Sequence, residues 1–286
     1  MNKRVCVILV TYNRVDTLRQ ALANLKKQTY SPESIVIVDN NSSDSTKLFL
    51  GDASKDKSTL ATSLSENIGY AGGISHGIAY AKKYSEYDYF WIMDDDSLQD
   101  PQALSQLVQA SEESGYAIIG SKGFNIKHGV KHEIEATGEI RDVDFILIDG
   151  ALLKSDIVAA VGTPDQKYFM MCEDYEYCKR LKRNGYKIGI VKTPPVNRLH
   201  LGGGGQFNKN TLWRGYYHSR NHLLILKQYF SFGGLYGYII TQLKFIIAAA
   251  ILAPDRFKRV KLRMLGIWHG LKGVDGKTLD PATLKF

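Results

Sequence analysis

Cysteine is scarce in this chain: three residues in 286, Cys6, Cys172 and Cys178. An odd number, with no CxxC and no histidine spacing suited to zinc, argues against a disulfide framework and a zinc site and points to a reducing compartment. No segment has the polar monotony of a disordered tail, so order is expected nearly throughout, and no internal repeat is visible. The apolar run in MNKRVCVILVTYNR is too short for a signal-peptide core plus cleavage site and reads as a first buried strand. Acidic residues are outnumbered, 29 Asp+Glu against 37 Lys+Arg, for a net charge of +8. That balance implies an anionic partner: nucleic acid, a membrane surface or a phosphorylated substrate.

What is present is globular. With 44% hydrophobic and 23% charged residues, the chain can build one α/β domain carrying an extra C-terminal element. Strand-like runs lie at Arg4 to Val10, Ser34 to Val38 and Tyr89 to Met93. Between the first two, Leu18, Ala21, Leu22 and Leu25 recur at helical spacing. A right-handed βαβ crossover sets such strands parallel, and ligands gather beyond their carboxyl ends. TYNR (11–14), DNNSSD (39–44) and an Asp triplet (94–96) would therefore share one rim. The glycine-rich turn ENIGYAGGISHG (66–77) enters a helix where backbone N–H groups can approach phosphate. Residues 136–156 read as strand and turn, with Gly150 at a close backbone approach. CEDYEYCKRLKRNG (172–185) reads as a helix stopped by Gly185, followed by a strand at KIGIV. NRLHLGGGG (197–205) reads as a flexible loop.

The triplet carries the most chemistry. Alternate residues of an extended turn point the same way, so Asp94 and Asp96 would converge on one hard cation while Asp95 faces elsewhere. Mg2+ or Mn2+ held by few carboxylates completes its shell with water and substrate phosphates, implying a nucleotide-diphosphate substrate. The bland alternative for DDD is an exposed acidic turn or helix cap. Asn40, Asn41, Ser42 and Ser43 likewise have an alternative as turn and N-cap residues.

VILVTYNR, IVIVDNNSSD, NIGYAGG, WIMDDD, CEDYEYCKR and a later histidine occur in the order found in inverting family 2 glycosyltransferases, over roughly the first 220 residues. The chain resembles that family, in its galactofuranosyl- and rhamnosyltransferase-like branch. The resemblance implies the GT-A fold, a Rossmann-like, mostly parallel central sheet flanked by helices, over 1–222; a C-terminal helical region follows over 223–286, which its own composition marks as membrane-associating. It implies Thr11, Tyr12 and Arg14 beside the nucleotide, Asp39 on the base, and Asn41 and Asn67 on the ribose or diphosphate side. Asp94 and Asp96 are then metal ligands, His200 the third, and Asp95 lies near the ribose or donor sugar. An inverting displacement also needs a base opposite the leaving group, and the resemblance puts it at Asp174 rather than Glu173. The alternative for that pair is complementing the helix dipole. His76 stands where many relatives carry Asn. Trp213 and YYHSRN (216–221) match a segment of the same branch, in which Arg220 meets phosphate or acceptor; packing of an amphipathic helix is the alternative.

The apolar segment 235–253, interrupted by Thr241, Gln242 and Lys244, precedes Arg256, Lys258, Arg259, Lys261 and Arg263. This pattern suits a helix lying in the headgroup plane on the inner face of the cell membrane, each basic residue contributing about 1 kcal/mol near anionic lipid. A buried packing helix or a homodimer interface is the alternative. The expected function is sugar transfer from a nucleotide donor, UDP-galactofuranose or dTDP-rhamnose, to a lipid-linked surface glycan in the cytoplasm. A nucleotidyltransferase would use the same acidic rim, but TYNRVDT lacks the glycine-rich phosphate loop. A nucleic-acid-binding module fits only the net charge, and the acidic rim opposes it.

Overall fold

The computed structural model describes residues 3–127, 129–194, 196–199 and 211–286. The first third alternates strand and helix: β1 (Val5–Thr11), α1 (Val15–Leu25), β2 (Ser34–Asp39), α2 (Thr46–Ala53), β3 (Thr59–Ser63), α3 (Gly69–Ala81) and β4 (Tyr89–Asp94). Then follow β5 (Ser97–Leu98), α4 (Ala103–Ser114), β6 (Ile118–Gly120), the hairpin β7 (Gly123–Lys127) and β8 (Val130–Ile134), β9 (Arg141–Asp142), β10 (Phe145–Ile146), β11 (Leu152–Lys154) and α5 (Ser155–Val161). After one 3-10 turn at Gln166–Tyr168 come α6 (Glu173–Arg183), β12 (Ile188–Ile190), β13 (Asn197–Arg198), α7 (Leu212–Gln228), α8 (Phe232–Leu252) and α9 (Arg256–Lys272).

The main sheet has the order β3-β2-β1-β4-β11-β6-β12-β9. β1 is central because VCVILVT is buried at every position, as expected of a strand covered on both faces. Its neighbours β2 and β4 run parallel to it, whereas β11 is antiparallel to β4. Successive residues serve opposite layers. Ile8 and Val10 pack with Ile74, Ile78 and Phe90 on one side, while Val7 and Leu9 meet Leu18, Leu22, Leu25 and Leu104 on the other, the period-2 signature of a strand. Gly73 and Gly77 let α3 close onto the sheet, since a Cβ on either would meet Val10 or Ile8 at 2.7 Å.

The C-terminal helices are interlocked with one another. α9 lies so close to α7 that a Cβ on Gly266 would meet the Tyr216 carbonyl oxygen at 2.3 Å. Beyond α9 the tail returns to α7, where the Tyr217 hydroxyl donates to the Leu279 carbonyl at 2.7 Å. The expected domain boundary at 222/223 falls inside α7.

Candidate active site

Register levels the strand ends. Thr11 pairs with Asp39 across β1 and β2, and Val10 with Asp94 across β1 and β4, so the three expected segments do share a rim. Asp39 is fully buried; its Oδ1 accepts the Ser42 N–H at 2.8 Å. Its Oδ2 is buried without a hydrogen-bond partner among the described residues, an acceptor that a ligand N–H would satisfy. Tyr12 and Arg14 are exposed on the rim and Asn41 is half-buried. Asn41 has φ 64°, the left-handed turn conformation that asparagine tolerates. Its neighbour Asn40, buried, ties this turn to α3 by accepting from Ile68 N and donating to the Gly69 carbonyl, both at 2.9 Å. The Asn67 side chain accepts from Gly69 N at 2.9 Å, so in the protein it caps the entry to α3.

The triplet departs from the expected alternation because residues 95 and 96 form a turn rather than extended chain. One Arg14 nitrogen donates to both Asp95 Oδ1 and Asp96 Oδ2 at 3.1 Å. Thr11 adds a 2.7 Å bond to Asp95 Oδ2. Burial raises the Asp95 pKa, with Arg14 and Thr11 opposing. Asp94 takes a different neighbour, Asp149, whose carboxylate accepts the Asp94 N–H at 2.9 Å and the Ser97 hydroxyl at 2.6 Å. Arg198, delivered by the β13–β5 pairing, reaches Asp149 at 2.5 Å. The Asp94 pKa is pushed well above the carboxylate range by burial and then by Asp149, Asp96 and Asp95. Asp149 and Arg198 were not among the expected site residues. The signal for Asp149 was there: FILID repeats the apolar-run-then-Asp pattern of IVIVD and WIMD.

Glu173 and Asp174 open α6. The turn before them is strained, with positive φ at Phe169 (60°), Met171 (71°) and Cys172 (70°), none of them glycine; such conformations persist only where the surroundings over-determine them. Burial and the Asp174 charge push Glu173 up to about 8. Burial also raises Asp174, against the Tyr175 N–H that donates to its Oδ1 at 2.7 Å. Tyr70 joins the two acidic groups: its pKa is driven well up by burial and then by the charges of Asp94, Asp149 and Glu173. Gly69 at the start of α3 packs on the Phe169 backbone ahead of α6, and Gly73 packs on Val10, the register partner of Asp94, so the α6 start and the triplet flank the first turn of α3.

No group of three His, Cys, Asp or Glu side chains arranged to hold a metal ion occurs among the described residues, and His200 lies outside them. Arg220 is fully buried and directed at the Gly276 carbonyl (2.8 Å) and Thr278 hydroxyl (2.7 Å), not at the rim.

A mixed sheet with acidic carboxyl ends and helices on both faces is the architecture of the GT-A fold. The same fold covers 95% of this chain in the crystal structure of GalNAc-T7 with UDP, GalNAc and Mn2+ (TM-score 0.66, 12% identity), of which it spans 56%. The family described as Glycosyl transferase family 2 matches residues 6–155; the chain belongs to it and is a glycosyltransferase. It is similar to the galactofuranosyltransferase GlfT1 of Mycobacterium tuberculosis (strain H37Rv), 27% identical over 207 residues, 66% of this chain and 68% of that protein. It is also similar to GlfT1 of Mycolicibacterium smegmatis, 25% identical over 259 residues, 83% of each.

Proposed function

We propose that this glycosyltransferase moves a sugar from a nucleotide-diphosphate donor to a hydroxyl of a lipid-linked glycan, with inversion and with Asp174 as general base. The observation that carries this reading is the half-buried Glu173–Asp174 pair, whose preceding turn packs on the start of α3 at Gly69, beside the acidic rim. The galactofuranosyltransferase relatives support UDP-galactofuranose as donor; dTDP-rhamnose, the second candidate, rests on the sequence resemblance alone.

Each residue has a role in this reading. Asp39 Oδ2 accepts the N–H of the nucleotide base, which would satisfy its buried oxygen. Asn41 and Asn67 border the ribose and diphosphate, while Tyr12 flanks the base. Arg14 with Thr11 holds Asp95 toward the donor sugar. Asp174 takes the proton of the acceptor hydroxyl as its oxygen bonds to the sugar carbon; the bond from that carbon to the diphosphate breaks, and the nucleoside diphosphate leaves with the electron pair.

A divalent cation would neutralise the negative charge gathered at this rim, where the described residues alone offer no group of three ligands. Four carboxylates, Asp94, Asp95, Asp96 and Asp149, crowd this rim against Arg14 and Arg198. Asp94 and Asp96 would hold Mn2+ or Mg2+, with His200 as third ligand. When bound, such an ion supplies Lewis-acid neutralisation of the departing diphosphate.

The exposed side of α8 supports a peripheral place on the inner membrane face. Phe232, Tyr236, Ile239, Leu243 and Ile247 are 83, 56, 46, 50 and 56% exposed and fall on one stripe of the helix. Arg256, Lys258 and Lys261 are exposed at the start of α9, the charge that anionic lipid attracts. α8 is long and apolar enough to cross a membrane, but Gln242 and Tyr238 are buried against the protein, which favours lying on the surface.

Asp174→Asn tests the catalytic reading. It is expected to bind nucleoside diphosphate as the wild type does and to lose transfer by about 10²- to 10⁴-fold, the usual range for a general base. Full transfer in that variant would exclude Asp174 as the base.

A further inference from the structure

The strained turn ahead of Asp174 is held from outside its own segment. The Asn221 side-chain nitrogen donates to three of its carbonyl oxygens, Tyr168 at 2.7 Å, Met170 at 2.9 Å and Met171 at 2.8 Å. Asn221 is itself fully buried. Its Oδ1 is committed to Arg220 Nε at 2.9 Å, which fixes the amide so that its N–H groups face the turn. Arg220 in turn spans to the tail, at the Gly276 carbonyl and Thr278 hydroxyl. The tail also grips the turn directly: Gly276 N donates to the Lys167 carbonyl at 2.7 Å. Tyr217, bonded to Leu279, packs its ring on Phe169 at 5.1 Å.

We propose that Asn221 is a positioning residue for the general base, and that Arg220 and the tail residues Gly276–Leu279 form the strut that holds it. The chemical logic is accounting for carbonyls. Positive φ at Phe169, Met171 and Cys172 turns the chain's carbonyl groups away from any regular ladder, and buried carbonyls without donors are costly. One amide meets three of them. Without it the turn relaxes toward negative φ, and α6 starts from a different point. The base then moves while the rim, built on β1, β2 and β4, stays. A misplacement of about 1 Å costs roughly 100-fold in rate.

The inference rests on Asp174 being the base, and the experiment separates the two claims. Asn221→Ala and Asn221→Asp, which swaps donors for acceptors at the same shape, are compared with Asp174→Asn for transfer kcat, donor KM and equilibrium binding of UDP with Mn2+. The expected result is a kcat loss of about 100-fold in both Asn221 variants, with donor KM and UDP affinity within about twofold of wild type. Thr278→Val, which removes one Arg220 partner, is expected to lose kcat by about fivefold, since one hydrogen bond is worth roughly 1 kcal/mol; Thr278→Ser, which keeps the hydroxyl, is expected to restore it. Wild-type kcat in Asn221→Ala overturns the positioning role, as does a parallel loss of UDP affinity and kcat in both Asn221 variants. If Asn221→Ala does not fold, Thr278→Val decides: wild-type kcat overturns the strut, and reduced kcat with intact UDP binding supports it. Full transfer by Asp174→Asn sinks the base assignment instead, whatever the Asn221 variants do.

Discussion

Gly69→Ala probes the same turn from the opposite side, and its magnitude can be built from three glycines. Gly51, inside α2, has nothing within 4 Å of a built Cβ and ordinary helical backbone. Gly51→Ala is expected to stabilise the protein by about 0.5–1 kcal/mol through helix propensity and chain entropy. Gly115, the left-handed cap of α4, has φ +70° and equally open space. Its alanine variant isolates the cost of left-handed backbone, about 1–2 kcal/mol. Gly69 combines φ +80° with the Phe169 carbonyl oxygen 2.1 Å, and the carbonyl carbon 2.6 Å, from the added Cβ. The obstacle is backbone, and it cannot retreat freely, because the N–H of the same peptide, that of Met170, donates to the Tyr168 carbonyl at 2.6 Å and Asn221 holds both flanks. Adding an overpacking term of about 1–3 kcal/mol to the left-handed cost gives a loss of roughly 2–5 kcal/mol. Urea unfolding followed by circular dichroism, with equal m-values as the check on two-state behaviour, measures all three. A Gly69→Ala loss no larger than that of Gly115→Ala would refute the argument, since the Phe169 contact would then carry no energy.

Two further outcomes can be measured. Burial and the Asp174 charge push the Glu173 carboxyl of the folded protein up to about 8, from an ordinary glutamate value near 4.5. The folded state holds its proton longer than the unfolded chain, so this stability is fully present below about pH 4.5 and lost as pH rises through 8. Glu173→Gln is expected to flatten the fall in urea midpoint between pH 5 and 8.5; parallel slopes in the two proteins would contradict it. Leu243→Glu with Ile247→Glu on the exposed α8 stripe is expected to lower binding to anionic vesicles at least 100-fold, from about 1.5–3 kcal/mol for each buried apolar side chain. Wild-type protein that does not float with the vesicles, but sediments as a dimer that these substitutions break, would assign the stripe to a second copy.

The rim was legible in the sequence because β-sheet geometry is local. An apolar run ending in Asp fixes both where a buried strand stops and which end faces the ligand, and IVIVD and YFWIMD say so without tertiary knowledge. The same reasoning failed on the triplet, where alternation assumes extended chain. Asp95 and Asp96 lie in a turn, and Arg14 gathers both. The helix at 172–185 was legible from its periodicity and from Gly185, whose φ is +82°.

The chain leading into that helix was not legible, for a physical reason. Phe169, Met171 and Cys172 are residues that disfavour positive φ, so no local preference encodes their conformation. It is imposed by Asn221, some 50 residues away in sequence, and by Gly69, about 100 residues away on the other side. The contact of Arg220 with phosphate or acceptor was what the resemblance implied; its bonds to the tail fit the alternative, packing of the helix. The buried amide beside that arginine is where α7 touches the turn. A site whose donor half is written in strand ends and whose base half is written in long-range contacts should respond differently to mutation. On the proposed roles, rim substitutions are expected to act on donor binding, and changes in α7 or the tail on kcat alone.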